Sequence, residues 1–427
     1  MSLQPELTQR ILAEVDAGFE EQLAFTEALS RYPSLRGQEH TAQDFLHREL
    51  QARGYAMDRW TIEVDDIAHH PGFSPVEVDY SNAINVVGTL RPREEKGRSL
   101  VLNGHVDVVP AGPEQMWSKP PFEPYRDGDW MYGRGVADMK AGIAANIHAV
   151  EALKRLGYRP AATLYQQSVV EEECTGNGAL AALLRGYNAD AAIIPEPVDD
   201  KLVRANTGVL WFRVRVQGIP VHVREAGSGA NAIEAAYELI KGLRQLEEKW
   251  NARKAGRPYF EDEDHPINFN VGKIAGGDWA SSVPAWCEFD CRIAIFPGDK
   301  PQDAAREIEE HLRSVSDAIP FLANNPPEVT FNGFFAEGYV LEEGTEAEET
   351  LGRAHMASYA APMESFVSPA YLDGRVFVIY GETPCMVYGP ISQAIHGFDE
   401  RVNLPSLKRV TGAIALFIAE WCGLEEI

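Results

Sequence analysis

The chain has 427 residues, more than one hydrophobic core comfortably serves, so two domains are the natural expectation. Its composition, 45% hydrophobic, 10% aromatic and 24% charged, is that of an ordinary globular protein. The formal net charge of −25 argues against nucleic acid and against anionic membrane as partners, since either would repel it.

Residues 1–16 are polar, with no apolar core of signal-peptide length, and no window approaches the roughly 18 apolar residues of a membrane span. The five cysteines (Cys174, Cys287, Cys291, Cys385, Cys422) are odd in number, scattered and without a CxxC pair, which reads as reduced core thiols. A cytoplasmic enzyme is the expectation.

Taken in chain order, residues 7–31 and 39–53 carry apolar positions at helical spacing, the second run ending at the breaker Gly54. Residues 85–90 and 99–103 are short apolar runs bounded by turns, the pattern of buried strands. A helix is predicted over 139–157, a strand over 162–170, a helix over 178–184 and a strand over 191–194. This alternation implies a largely parallel sheet covered on both faces. The texture changes at 209–216, where Leu210, Phe212, Val214 and Val216 share one face and Trp211, Arg213 and Arg215 the other, as in a half-exposed antiparallel strand. A helix at 231–250, strands near 267–274 and 286–295, a helix at 301–316 and a strand at 328–331 complete a small α+β module. Residues 342–349 read as a solvated helix start, and 404–422 as the final helix. The expected organisation is α/β: a catalytic domain in two segments, 1–206 and 336–427, with an inserted lid and dimerisation domain at 207–335.

Chemistry concentrates at five places. In Gly104-His105-Val106-Asp107 the His and Asp are two apart, so on a strand both side chains share a face. Asp138 closes a loop and opens the helix after it. Glu172-Glu173 and Glu196 follow predicted strands, and His396 lies in a loop before the last helix. In open parallel sheets, ligands bind beyond the carboxyl ends of the strands, so these groups are able to converge on one edge. Five protein ligands are too many for one four-coordinate zinc and suit two metals bridged by a carboxylate, about 3.5–4 Å apart. His40, His47, His69, His70, His148, His265, His311 and His355 have no such context.

These motifs resemble those of the dinuclear zinc amidohydrolases that include acetylornithine deacetylase, succinyl-diaminopimelate desuccinylase, aminoacylase and the glutamate carboxypeptidases. The similarity runs through Gly104–Pro110, the Trp117…Pro121-Phe122 loop, Gly133–Lys140, Glu172-Glu173 with Gly176 and Gly178-Ala179, Glu196-Pro197 and His396–Glu400. It implies a zinc-peptidase-like sheet with a ferredoxin-like lid. It implies two Zn²⁺ per chain, with Co²⁺ or Mn²⁺ as possible substitutes. His105 and Glu196 would hold one metal, Glu173 and His396 the other, and Asp138 would bridge. Asp107 would orient the His105 imidazole, and Glu172 would serve as general base. Counting back from Gly178-Ala179 puts Glu171 where the family has Asp, which selects Glu172 as base and Glu173 as ligand.

On the lid, His222 resembles the histidine that reaches a partner subunit's oxyanion, which implies a homodimer. Arg292 resembles the arginine that binds a substrate α-carboxylate, and Asn270 an asparagine near the same group. The sequence departs from the pattern at Ser281-Ser282-Val283-Pro284, at Gly389-Pro390-Ile391, at Ile395 and at Asp373-Gly374-Arg375, changes that leave the expected zinc ligands untouched and bear on the substrate pocket. The function implied is hydrolysis of the amide of an N-acyl amino acid, acetylornithine-type deacetylation being the single best match. A metallo-exopeptidase acting on dipeptides or peptides is the alternative. A silent binding protein would lack a ligand or the base, and none is missing.

Overall fold

The computed structural model describes residues 3–427, so the first two residues of the predicted first segment lie outside the described residues. Its centre is a six-stranded sheet in the spatial order Ala56–Thr61, Ile84–Leu90, Leu164–Ser168, Leu100–Leu102, Ala192–Ile194, Cys385–Val387. The last four strands run parallel to one another, and the first two are added antiparallel at one edge. The parallel strands are buried on both sides because both are packed. Leu100, Leu102 and Ile193 face the core shared with Ile147 and Leu153 of helix Ala141–Arg155 and with Leu407 and Phe417 of helix Leu404–Trp421. Val101, Ala192, Ile194 and Val387 face a second cluster with Met139, Leu372 and Phe377.

The single helix predicted over 7–31 is two helices, Pro5–Ala17 and Phe19–Ser30. The break falls at Gly18, whose backbone leaves the helical region at φ −90°, ψ 1°. A Cβ there would stand 2.1 Å from Arg155 Nη2, and that guanidinium donates to the Glu14 carbonyl at 2.8 Å. The side chain thus caps the first helix where its own hydrogen bonds end.

A second sheet, all antiparallel, has the order Phe269–Gly276, Trp286–Ile295, Gly208–Gln217, Glu328–Ala336. Helices Ala232–Asn251 and Pro301–Asp317 cover one face through Leu239, Leu243, Leu246, Ile308 and Leu312, which pack on Leu210, Phe212, Val214 and Val216. Strand–helix–strand–strand–helix–strand in this spatial order is the ferredoxin-like arrangement expected of the lid. The opposite face turns toward the first body: Trp211 packs edge-on against Phe334, which stacks on Tyr371 at 4.2 Å. No helix among the described residues is long and apolar enough to cross a membrane.

Candidate metal centre

The four parallel strands end on the same edge, and each releases one of the predicted residues beyond its carboxyl end. Strand Leu100–Leu102 leads to His105, Leu164–Ser168 to Glu171–Glu173, Ala192–Ile194 to Glu196, and Cys385–Val387 to the loop of His396. Asp138 precedes helix Ala141–Arg155 across a cis Asp138–Met139 bond. The expectation that His105 and Asp107 sit on one strand is corrected: the strand stops at Leu102, and His105 makes only an isolated bridge to Val169. Beyond Leu102 the chain keeps single hydrogen bonds to its neighbours, Asn103 N–H to the Ile193 carbonyl at 2.9 Å and Val106 N–H to the Val169 carbonyl at 3.0 Å.

Asp138 lies between the two imidazoles. Its Oδ1 is 3.2 Å from His105 Nε2 and its Oδ2 is 3.4 Å from His396 Nε2. On the His105 side, Glu196 approaches to 3.7 Å and Glu172 to 3.8 Å. On the His396 side, Glu173 approaches to 3.1 Å. His105, Asp138 and Glu173 can bring ligand atoms within 4.8 Å of one another. His105, Glu172 and Glu196 are buried, Asp138 and Glu173 are partly buried, and His396, whose side chain is 54% exposed, forms the open wall.

The donors fit a cation. His105 Nδ1 lies 3.0 Å from the Asp107 carbonyl, which only accepts, so Nδ1 carries a proton and Nε2 is the nitrogen turned toward three carboxylates. A bound cation satisfies both sides of that contact. Glu196 Oε1 is buried without a hydrogen-bond partner, as a ligand atom would be. Burial and neighbouring carboxylates push Glu172 well above the usual carboxylate range, and Glu196 up to about 7. Burial opposes the charged form of His105, but Glu196, Glu172, Asp107 and Asp138 prevail and raise it well above its ordinary value. Glu173 beside it raises His396 to about 11.

Asp107 plays two parts here. Its carbonyl, rather than its carboxylate, is the nearer partner of His105 Nδ1; the carboxylate stands at 3.5 Å. The carboxylate's other oxygen accepts the Glu173 N–H at 3.0 Å, so Asp107 ties the two ligand loops together. Glu171 turns away from the site into a bidentate ion pair with Arg36, which leaves Glu172 and Glu173 facing the imidazoles. Sequence reasoning missed Arg36 and also Glu400. The Glu400 carboxylate accepts the Ala137 and Asp138 N–H groups and pairs with the buried Arg134, which donates to the Gly397 carbonyl. One acid thus joins the loop of Asp138 to the loop of His396. Gly133-Arg134-Gly135 and Glu400 each lay in a matching motif, but nothing local paired them. Asp373 is a third omission: it is buried, hydrogen-bonded to Tyr371, and raised to about 7 by burial.

The lid residues do not join this group within the chain. His222 is exposed, and its Nδ1 accepts from Arg224 N at 3.0 Å. Arg292 and Asn270 sit directly opposite each other on neighbouring strands. Arg292 donates to the carbonyls of Asn268 and Pro369 and has no carboxylate partner among the described residues.

A ferredoxin-like lid on a mostly parallel sheet, with imidazoles and carboxylates gathered at the strand ends, defines a hydrolase of the metal-dependent peptidase and amidohydrolase class. The chain belongs to Peptidase family M20/M25/M40, whose description matches residues 101–420. It is similar to the N-formyl-4-amino-5-aminomethyl-2-methylpyrimidine deformylase of Halalkalibacterium halodurans, at 29% identity over 98% of each chain. It is similar to the succinyl-diaminopimelate desuccinylase of Cupriavidus taiwanensis, at 27% identity over 90% of this chain and 94% of that one. Among solved structures, the dipeptidase Dug1p of Saccharomyces cerevisiae shares the fold, with a TM-score of 0.77 at 14% identity over 97% of this chain and 98% of that one.

Proposed function

We propose that the chain removes the acyl group from an N-acylated amine, holding two zinc ions between His105 and Glu196 on one side and His396 and Glu173 on the other. The observation that carries this reading is the Asp138 carboxylate, one oxygen directed at each imidazole, the disposition of a bridging ligand. When bound, the metals polarise the scissile carbonyl and lower the pKa of water toward ~7. Glu172 makes no hydrogen bond among the described residues and stands beside the group at 3.8 Å from His105. It would take the proton of the attacking water and return it to the departing nitrogen.

Two relatives, a deformylase and a desuccinylase, are named for removing an acyl group from nitrogen, which supports a deacylase over an exopeptidase. Arg292, a guanidinium without an acidic partner, favours a substrate that bears a carboxylate, as an N-acyl amino acid does. Acetylornithine is such a substrate. A neutral N-formylated aminopyrimidine is the second reading, favoured by similarity to the deformylase over 98% of the chain. The protein is taken as a homodimer through the lid, with His222 reaching the partner's site.

Amine release from N-acetylornithine, N-succinyl-diaminopimelate, the N-formylated pyrimidine and simple dipeptides, on protein reconstituted with zinc, ranks the substrates. An acyl compound should be cleaved fastest; faster cleavage of dipeptides would make the chain an exopeptidase. In the same preparations Glu172→Gln should keep two equivalents of metal and lose turnover, while Glu173→Ala should lose metal. The reverse pattern would place the base one residue later.

A further inference from the structure

Three consecutive glutamates, Glu171, Glu172 and Glu173, follow one strand, and a slip of one residue would put the wrong carboxylate in each role. Glu171 alone is clamped. Arg36 Nε and Nη2 grip its two carboxylate oxygens at 2.6 and 2.7 Å, Tyr80 OH donates at 2.6 Å, and Thr175 Oγ1 donates at 2.9 Å. The Glu171 backbone sits at φ +67°, a region that glutamate rarely occupies unless its surroundings hold it. Its carbonyl accepts the N–H groups of Thr175 and Gly176 at 2.9 and 2.7 Å, closing the turn that carries Glu172 and Glu173.

An ion pair drawn partly out of water, here with Arg36 24% and Glu171 2% exposed, is a poor device for stability, because desolvation offsets its attraction; its best-attested use is to fix register. The two partners come from segments anchored on opposite sides of the turn. Val108 N–H donates to the Ser34 carbonyl, and Leu35 bridges Val108, so the segment of Arg36 runs beside the His105–Asp107 turn. Asn177 donates to Tyr80 and to the Ser74 carbonyl, and accepts from Ser74 N–H, which fixes the segment of Tyr80 on the far side.

We propose that Arg36 and Tyr80 are positioning residues that select which of the three glutamates becomes the base, by holding Glu171 out of the site. The inference rests on the reading of Glu172 as base. A guanidinium fork matches a carboxylate in two bonds and a lysine ammonium in one, so the clamp needs arginine.

The test uses the full chain reconstituted with zinc. Arg36→Ala should keep its metal content and a KM within about twofold of the parent, while kcat falls on the order of 10–100-fold, the usual cost of losing an orienting partner. Added methylguanidinium should restore part of the lost kcat, with equal urea and sodium chloride inert. Arg36→Lys should recover little. Tyr80→Phe removes one hydroxyl and should lower kcat several-fold with KM unchanged; it decides the matter if Arg36→Ala does not fold. An unaltered kcat in Tyr80→Phe and in any folded Arg36→Ala would overturn the proposal, as would a loss in Arg36→Ala that tracks metal content or ignores methylguanidinium. Glu172→Gln separates the two ideas. Turnover that survives Glu172→Gln removes the base itself, whereas a dead Glu172→Gln beside an unaffected Arg36→Ala and Tyr80→Phe removes only the clamp.

Discussion

His148 shows what a histidine looks like when it is not part of a site. It lies in the middle of helix Ala141–Arg155, 2% exposed, with neither ring nitrogen hydrogen-bonded and Phe25 edge-on at 5.6 Å. Burial, helped by Arg53 and Arg155, lowers its pKa to about 3 from the ordinary 6.5. Between those values the unfolded chain binds a proton that the folded chain refuses, so stability falls as pH drops through that window and is unaffected above it. Each unit is worth about 1.4 kcal/mol, which makes the loss on the order of 4 kcal/mol by pH 3. His148→Leu should therefore move acid unfolding to lower pH while changing the midpoint of urea unfolding at pH 8 little. An acid transition that stays put would show that other groups govern it. The contrast with His105 explains what was legible at this scale. The gathering of His105, Asp138, Glu172, Glu173, Glu196 and His396 was legible because each follows a strand or opens a helix in a recognisable motif. Arg36 and Glu400 act through partners between 135 and 266 positions away, which nothing local marks, and Asp373 through burial and a hydrogen bond from Tyr371.

At the scale of elements, the long buried strands and amphipathic helices were readable because burial fixes their periodicity. The strand predicted at 209–216 is Gly208–Gln217, the helix at 231–250 is Ala232–Asn251, and 286–295 is met in full by Trp286–Ile295. The helix start at 342–349 becomes Glu346–Tyr359, capped by Thr345, whose hydroxyl accepts the Glu348 N–H. Strand Ala56–Thr61 was missed for its half-exposed mixed composition, and Cys385–Val387 was missed as well. Less legible still was how the two bodies join. The chain enters the lid at Gly208 and leaves at Gly338, and the two glycines touch: a Cβ on Gly338 would lie 2.4 Å from the Asn206 carbonyl and 2.5 Å from Gly208 N. Both obstacles are backbone, so Gly338→Ala must spread the crossing. Overpacking of this kind costs roughly 1–3 kcal/mol. The variant should melt at lower temperature and, because the crossing sets where Arg292 and Trp211 sit, show a raised KM. A KM and melting temperature equal to the parent's would mean that the crossing is free to flex.

The whole molecule presents one surface that the chain alone does not explain. Strand Phe269–Gly276 is an edge of the lid sheet, and on or beside it Ile274, Trp279, Ile219 and Val223 are exposed at 49%, 74%, 49% and 52%. Exposed strand edges invite pairing, and a second copy brought edge to edge forms an isologous contact. His222 belongs to the same region, bridging to Ser282, and with Nδ1 occupied by Arg224 N–H its Nε2 is left to donate outward. In a dimer formed there, His222 of one chain would serve the oxyanion in the other. Loss of one oxyanion donor typically costs ~10²–10³ in rate, so His222→Ala should lower kcat far more than it alters KM. The sharper measurement mixes inactive variants. A hybrid of His222→Ala with Glu172→Ala holds one site in which both residues are intact, so activity should return as subunits exchange, toward a quarter or less of the parent's. Recovery should also fail when Trp279→Asp is added to both chains, because the shared edge is then charged on each side. Proven exchange without any recovery, or a fully active monomer at assay concentration, would leave His222 a surface residue and the lid edge without a catalytic part.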